Sequence, residues 1–157
     1  METTKFTDVI HMRGSLRILI KDLQDNVIRE IRHDNLLVTQ GRSWALGQLE
    51  SVNIQTAQTI GWIAVGSITV APTTADTALG GEYTRVAIGT WVTSTLTVNP
   101  PSWQAQASLA TNQGNTTLAE AGLFNSSAAG TMLGHVTFSS FVKATSNTVS
   151  MSYTVSG

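Results

Sequence analysis

A buried strand, a turn-rich corner and a return strand can be read from residues 60–85, Ile60-Gly61-Trp62-Ile63-Ala64-Val65-Gly66-Ser67-Ile68-Thr69-Val70-Ala71-Pro72-Thr73-Thr74-Ala75-Asp76-Thr77-Ala78-Leu79-Gly80-Gly81-Glu82-Tyr83-Thr84-Arg85. The apolar run 62–65 is flanked by glycine, which predicts a strand buried on both faces. The proline and the Thr-rich segment after it predict a turn, in which Thr74 caps a short helical turn and Asp76 favours its positive end. The glycine pair 80–81 ends that turn and lets the chain reverse.

Alternating apolar and polar residues predict further strands on both sides of this stretch. Residues 15–34 are typical of a β-hairpin, with Asp and Asn in the turn at residues 22–26. Residues 86–98 predict a strand with a bulge at Gly89. The remaining predicted strands are 102–111, 118–124, 131–138 and 147–155, and the last of them is expected to close a sheet.

One helix is predicted in residues 35–50, with Thr39 as its cap and an apolar stripe of Trp44, Leu46 and Leu49. Roughly eight to ten short strands with turns at about ten-residue spacing are typical of an all-β sandwich or jelly roll. The expected fold is therefore an all-β, jelly-roll-like β-sandwich with one short helix. We expect residues 1–34 to form an N-terminal arm and β-hairpin, and residues 35–157 to form the sandwich domain.

Charge is concentrated at the N-terminal end of the chain. Fourteen of the 19 charged residues lie in residues 1–50, and the other 107 residues carry five: Asp76, Glu82, Arg85, Glu120 and Lys143. So few charges favour self-association, which predicts a surface covered in an assembly; a Thr-rich β surface without special meaning is the alternative. The net charge of −1 offers no basic surface for specific nucleic-acid binding, and no apolar run is long enough to span a membrane.

Residues suited to enzymatic or metal chemistry are sparse. The chain has no cysteine, which excludes thiol catalysis, thiolate metal sites and disulfides. His11, His33 and His135 lie in no recognisable catalytic frame, and no nucleophile motif is present. Glu120 and His135 could approach each other across a hairpin, but two ligands do not make a metal site. We therefore expect a protein without catalytic, cofactor-binding or metal-binding residues.

Two groups of charged residues are candidates for specific contacts. Glu120 lies alone in an apolar strand, and we expect a buried ion pair between Glu120 and Arg85 that fixes strand register. The other group is a basic strip on the predicted hairpin, which could meet an acidic partner or nucleic acid, or could be a solvated face balanced by nearby acidic residues. The strip consists of Arg13, Arg17, Lys21, Arg29 and Arg32, and the balancing residues are Asp22, Asp25, Glu30 and Asp34.

Two sequence motifs carry a resemblance to a known class of proteins. The first is Ile63-Ala64-Val65-Gly66-Ser67 with Ala71-Pro72, Asp76-Thr77-Ala78-Leu79, Glu82 and Arg85; the second is Glu120-Ala121-Gly122-Leu123-Phe124-Asn125 with Gly130-Thr131-Met132-Leu133 and Val136-Thr137-Phe138. Together with Asn35-Leu36-Leu37-Val38, Gly41 and the short helix, this pattern resembles small virion structural proteins of tailed bacteriophages. The sequence departs from that pattern at Ile68, where a second glycine would be expected after Gly66-Ser67.

The resemblance implies a non-enzymatic role as a capsid decoration (cement) protein on the exterior of the virion, assembled in the host cytoplasm. The implied partners are the major capsid protein and further copies of the chain in a homotrimer, and the basic strip becomes a candidate for capsid or subunit contacts. The alternative is a tail, fibre or baseplate component that binds a receptor or carbohydrate. For that alternative, the candidates for an exposed stacking surface are Trp62, Trp91 and Trp103.

Overall fold

The computed structural model describes residues 12–50, 59–93 and 101–157. Nine strands and one helix follow one another in these residues: β1 (Arg13–Asp22), β2 (Val27–Leu37), α1 (Thr39–Glu50), β3 (Trp62–Gly66), β4 (Glu82–Ala87), β5 (Thr90–Thr93), β6 (Ser102–Leu109), β7 (Thr117–Phe124), β8 (Met132–Val142) and β9 (Asn147–Ser156). The predicted all-β class with one helix is confirmed. None of the helices in the described residues has the length and hydropathy that a membrane-spanning helix requires.

The strands form one antiparallel sheet in the order β4-β3-β7-β8-β2-β1-β9-β6-β5. The two end strands, β4 and β5, are consecutive in the chain, and only Ile88 and Gly89 separate them. The Ile88 N–H donates to the Gly61 carbonyl beside β3, while the Gly89 N–H donates to the Gln106 carbonyl of β6. The sheet is therefore curled, and its two end strands, β4 and β5, approach each other at residues 88–89. The jelly-roll topology stays a prediction.

The bulge predicted at Gly89 is wrong. The chain does not continue as one strand through residues 86–98; β4 ends at Ala87 and pairs with β3, whereas β5 begins at Thr90 and pairs with β6. Gly89 lies at the point where the backbone changes partner strands. The irregular alternation of apolar residues at this position reflects that change of partner, and the predicted strand residues 94–98 lie outside the described part of the chain.

The predicted N-terminal hairpin is confirmed, but it is not an appended unit. β1 and β2 pair in a register that places Ile18 opposite Ile31. β1 also pairs with β9 along its whole length, and β2 runs past residue 34 to pair with β8 through Leu36 and Leu37. The boundary drawn at residue 34 is therefore not a structural boundary. The predicted arm, residues 1–11, lies outside the described residues.

Strand β9 was expected to close a sheet, and it instead lies between β1 and β6. Its alternation is as predicted, since four side chains on one face are fully buried: Val149, Met151, Tyr153 and Val155. Alternation identified the buried face of this strand. It did not identify the neighbours, because any strand with one buried face has the same period of two.

Strands β3 and β7 are buried on both faces, as the apolar run 62–65 predicts for β3. Ile63 and Val65 pack into the main core inside the curled sheet, whereas Ala64 packs with Phe124 of β7 in a smaller apolar cluster on the outer side. Residues 67–81, here called the corner, follow β3, and Leu79 of the corner belongs to that outer cluster. The corner therefore covers the outer face of β3 and β7.

Helix α1 begins at Thr39, and its contact with the sheet differs from the predicted apolar stripe. Leu46 is half exposed, whereas Trp44 and Ala45 pack against the main core. Gly41 lies so close to β8 that a Cβ atom there would overlap the backbone of Leu133. The helix is therefore held by a close backbone approach near its N-terminus. The side chain of Leu49 lies outside the described part of the structure.

Candidate functional site

Glu120, the lone acidic residue of strand β7, anchors the corner through backbone amides. Its carboxylate accepts hydrogen bonds from the N–H groups of Gly81 (2.7 Å), Gly80 (3.0 Å) and Ile68 (3.3 Å). The residue is 1% exposed. Three converging N–H donors offset the cost of burying a charged carboxylate, so a pairing cation is not required. Both ends of the corner are thus tied to one side chain of the sheet.

His135 of β8 lies between two carboxylates. Its Nε2 is 3.1 Å from Glu120 Oε2, and its Nδ1 is 2.7 Å from Asp76 Oδ2 in the corner. These three residues are called the His135 cluster below. The predicted approach of Glu120 to His135 is confirmed, whereas the part played by Asp76 was not foreseen. The fold brings Asp76 to His135 across 59 residues of sequence, and no local motif encodes such a contact.

The proton count of the His135 cluster follows from its geometry. A neutral imidazole has one N–H donor and one bare nitrogen, yet both ring nitrogens of His135 face carboxylate oxygens. Both contacts are hydrogen bonds only if the cluster holds one extra proton, either on the ring or on a carboxyl group. The cluster then carries a net charge of −1, which the backbone N–H groups around Glu120 stabilise.

Asp76 is held in its ionised form by the corner itself. Burial alone would raise the pKa of Asp76, but hydrogen bonds from the Thr73 hydroxyl and N–H and from His135 lower that pKa below its ordinary value. Thr73 Oγ1 lies 2.6 Å from Asp76 Oδ1, and the Asp76 N–H donates back to the Thr73 carbonyl. Thr73 and Asp76 therefore close a single turn at residues 74–75, whereas the sequence predicted a short helical turn capped by Thr74.

The His135 cluster supports the fold and is poorly placed for chemistry. The side chains of His135 and Glu120 are 6% and 1% exposed, so a substrate cannot reach them. Gly66 fits only because it lacks a side chain, since a Cβ atom there would overlap Gly81 and the Glu120 carboxylate. Within the described residues, no group of three or more His, Asp or Glu side chains is arranged to hold a metal ion. The cluster is best described as a latch between the corner and strands β7 and β8.

The predicted ion pair between Arg85 and Glu120 is wrong. Arg85 instead pairs with Glu82, with Nε 2.6 Å from Oε1 and Nη2 2.9 Å from Oε2. Its Nη1 donates to the carbonyl groups of Ser126 and Ala129, and the guanidinium lies 3.7 Å from the centre of the Phe124 ring. The physical reason is that the Glu120 carboxylate already accepts hydrogen bonds from the N–H groups of the corner. Arg85 anchors the loop between β7 and β8.

The predicted basic strip is divided between the two faces of the hairpin. Arg17 and Arg32 lie opposite each other, and both donate to Glu30, with Arg17 Nε 2.8 Å from its Oε1. Hydrogen bonds from Arg17, then from Arg32, lower the pKa of Glu30 to about 2. Lys21 pairs with Asp25, and Arg29 reaches the Ser140 carbonyl from the other face. Arg13 lies exposed at the start of β1.

Most of the strip is thus balanced by acidic neighbours, which agrees with the alternative that the sequence left open. Of the four expected acidic partners, Glu30 and Asp25 form ion pairs. Asp22 instead accepts hydrogen bonds from the N–H groups of Gln24 and Asn26 in the hairpin turn. A role of the strip in capsid or subunit contacts stays a prediction.

A second candidate site is an open cleft between α1 and the β5–β6 edge, here called the indole cleft. It has a volume of about 560 Å³ and is lined by Trp44, Gln48, Thr59, Ile60, Trp91, Thr93 and Trp103. The rings of Trp91 and Trp103 are 5.4 Å apart and tilted by 53°. Trp91 is 46% exposed on an edge strand whose four residues are all exposed. Three indole side chains from three different elements therefore line one cleft.

Two of the three tryptophans predicted as a stacking surface, Trp91 and Trp103, are brought together by the fold. Trp62 is not part of the cleft, because it packs against the outer apolar cluster with Ala64 and Phe124. Trp44 of α1 takes its place, although the sequence pattern predicts only that residue 44 belongs to the apolar stripe of the helix. Gln48, one helical turn further on, also lines the cleft.

Comparisons with known proteins identify no relative of this chain: no family model, no curated protein and no solved structure matches it.

Proposed function

We propose that this protein is a non-enzymatic structural protein of a tailed-bacteriophage virion, which binds the capsid lattice as a decoration protein. The observation that carries the proposal is the apolar end of the β1–β2 hairpin. Leu23, Val27 and Ile28 are 63%, 52% and 58% exposed there. Exposed apolar side chains grouped at one end of a rigid hairpin favour burial against another protein.

The remaining surface is also suited to an assembly. The 107 residues after residue 50 carry five charges, and four of these are engaged in contacts within the molecule, two in the Arg85–Glu82 pair and two in the His135 cluster. Charge-poor surfaces are typical of large and permanent interfaces. A lattice also multiplies weak contacts, so a small apolar hairpin end on each copy is sufficient for firm attachment.

The motifs behind the resemblance support the same proposal in a different way. Gly66, Asp76 and Glu120 belong to those motifs, and each is engaged in holding the corner to the sheet. The motifs therefore contain residues that hold the fold together. The surface residues that would contact a partner lie outside them and can vary with the partner. The proposed partners are the major capsid protein and two further copies of this chain in a homotrimer on the capsid exterior, assembled in the host cytoplasm.

Mass measurement by light scattering, followed by co-sedimentation with undecorated capsids, tests the proposal. We expect a trimer that pellets with the capsids. Ile28→Ser should reduce the pelleted fraction because it removes apolar contact area, whereas Val70→Ser, at a 72% exposed position in the corner, should leave it unchanged. A stable monomer that stays in the supernatant with intact capsids would refute the decoration role.

A tail, fibre or baseplate component is the second candidate function. The observation that favours it is the indole cleft, since exposed aromatic rings on an edge strand are suited to contact with a receptor. A trimer that ignores capsids and co-purifies with tails would favour this candidate over the first.

A further inference from the structure

We propose that the indole cleft is a binding site for a neutral saccharide, a function that does not depend on whether the protein is attached to the capsid or to the tail. The proposal rests on three features of the cleft: its aromatic walls, an unpartnered polar atom, and the absence of charge on its lining. Each feature is an observation on described residues, and each limits the chemistry of the ligand.

The aromatic walls select a ligand with a flat apolar face. Trp91 and Trp103 are tilted against each other by 53°, so they present two differently oriented ring faces to the cleft. The third ring, Trp44, projects from α1 on the other side. An indole face carries negative charge density, and it attracts the weakly positive C–H bonds on one face of a pyranose ring. A sugar ring of this kind also fits the volume of about 560 Å³, within the range of small-ligand sites.

The unpartnered polar atom calls for a hydrogen-bond donor from outside the described residues. Gln48 Oε1 is buried and has no hydrogen-bond partner in the described part of the chain. A buried acceptor without a donor is costly, and native proteins rarely leave one unsatisfied. A sugar hydroxyl group is a suitable donor. The hydroxyl groups of Thr59 and Thr93 line the same cleft and can exchange hydrogen bonds with further sugar hydroxyls.

The lining determines the charge of the ligand. None of the described residues that line the cleft is acidic or basic, so nothing there would compensate the desolvation of a charged group. The preferred ligand is therefore neutral, such as a hexose or an N-acetylhexosamine unit of a glycan. The same lining offers no general acid or base, so the cleft binds the saccharide without cleaving it.

The test is a titration of the full chain with neutral oligosaccharides, followed through the four indole N–H signals in NMR spectra. We expect the signals of Trp91, Trp103 and Trp44 to shift, whereas the signal of Trp62, which lies in the outer apolar cluster, serves as an internal control. Trp91→Ala should weaken the affinity by at least about tenfold, as expected for the loss of one aromatic contact. Gln48→Leu should also weaken it, because the apolar side chain cannot accept a hydrogen bond.

Val92→Ala is the matched control for Trp91→Ala. Val92 lies next to Trp91 on the same strand, is 48% exposed and is not part of the cleft lining, so its substitution should leave the affinity unchanged. Three results would overturn the proposal. The first is that no indole signal shifts with any neutral glycan at about 10 mM, a concentration that covers weak protein–sugar contacts. The second is tighter binding of acidic than of neutral glycans, and the third is a change in the oligomeric mass of Trp91→Ala, which would make the cleft an interface between copies.

Discussion

Glu120 illustrates at the scale of single residues why a charged side chain in an apolar strand need not have a charged partner. Its position in the run 118–124 marks it as buried, and the ion-pair partner that the sequence suggests for it is Arg85. The structure satisfies it with the N–H groups of residues 68, 80 and 81 and with His135 instead. Backbone amides have no signature in a sequence, so only the side-chain part of this network was open to prediction.

Lys143 is a second residue whose environment sequence reasoning did not reveal. It is 1% exposed, and its Nζ donates to Asn115 Oδ1 (2.9 Å) and to the carbonyl groups of Ala144 and Thr111. Burial lowers the pKa of its ammonium group. Neutral oxygen acceptors around a buried ammonium group link the turn after β6 to the turn after β8.

Asp76→Asn provides a test of the latch by pH dependence. Because the pKa of Asp76 is lowered in the folded protein, its ionised form adds stability above the ordinary carboxyl pKa, and this stability is lost as pH falls through the lowered value. We expect Asp76→Asn to be less stable than the parent at pH 7. The difference between the two proteins should shrink as the pH falls below about 4. Urea unfolding at a series of pH values measures both effects.

Asp25→Asn is the control for this experiment, since Asp25 lies in the hairpin turn with its side chain 80% exposed. The ion pair that Asp25 forms with Lys21 is exposed and contributes little to stability, so Asp25→Asn should be nearly as stable as the parent protein at pH 7. A constant difference between Asp76→Asn and the parent from pH 7 to pH 3 would show that Asp76 is not held in its ionised form by the latch.

Helix α1 shows at the scale of elements how a glycine can decide where a helix packs. The sequence pattern places an apolar stripe on residues 44, 46 and 49, yet Leu46 is exposed and the close contact is at Gly41. Glycine weakens a helix, so two glycines within twelve residues are a cost that needs a structural reason. Gly41 has such a reason in the backbone of Leu133, whereas the space around Gly47 is open.

The two glycines of α1 give a matched pair of substitutions. Gly41→Ala should destabilise the protein by about 1–3 kcal/mol, because the added methyl group overlaps the backbone of Leu133 and pushes α1 away from β8. Gly47→Ala adds the same group in open space and should be neutral or stabilising by up to about 1 kcal/mol. Thermal and urea unfolding of both variants measure the difference.

Equal stability of the two variants would contradict the close approach of α1 to β8. Loss of stability in Gly47→Ala alone would place the contact face on the opposite side of the helix.

The curl of the sheet is decided at the scale of the whole molecule, at the two residues that join β4 to β5. Ile88 bonds to the β3 side and Gly89 bonds to the β6 side, so the two ends of a nine-strand order are held together by adjacent peptide groups. The main core lies inside this curl and takes side chains from both halves of the sheet. The closure therefore connects the two halves directly through the backbone.

Gly89→Pro should weaken the closure because it removes the N–H group that bonds to the Gln106 carbonyl and restricts the backbone of Ile88. We expect a loss of about 1–3 kcal/mol in the free energy of unfolding. Gly89→Ala keeps the N–H group. Apart from the two chain neighbours, no atom of the described residues lies within 4 Å of the added methyl position, so the stability of this variant should equal that of the parent protein. Urea unfolding and amide exchange at Ile88, whose N–H group remains in both variants, measure the effect. A proline variant as stable as the parent would show that closure does not depend on the hydrogen bond from residue 89.

The sequence by itself determined most of the strands and, for β3 and β9, which faces are buried. The apolar run of β3, the alternation of β9 and the β1–β2 hairpin with its turn were all predicted correctly. These features depend on neighbours within about ten residues, where periodicity and turn chemistry act directly on the backbone. The charge-poor composition after residue 50 is likewise a property of the sequence alone.

Only the tertiary structure decided which strands and side chains meet. Strands with the same alternation can pair with one another equally well as far as the sequence shows. The sequence therefore could not predict the central position of β1 and β2 or the change of partner at Gly89. Nor could it predict the contact between Asp76 and His135, which lie 59 residues apart. The same holds for the indole cleft, which collects Trp44, Trp91 and Trp103 from separate elements. Contacts between residues far apart in the chain depend on how the whole core packs. Their free energy combines the entropic cost of closing long loops with the gain from burying side chains, and neither is a property of a short segment.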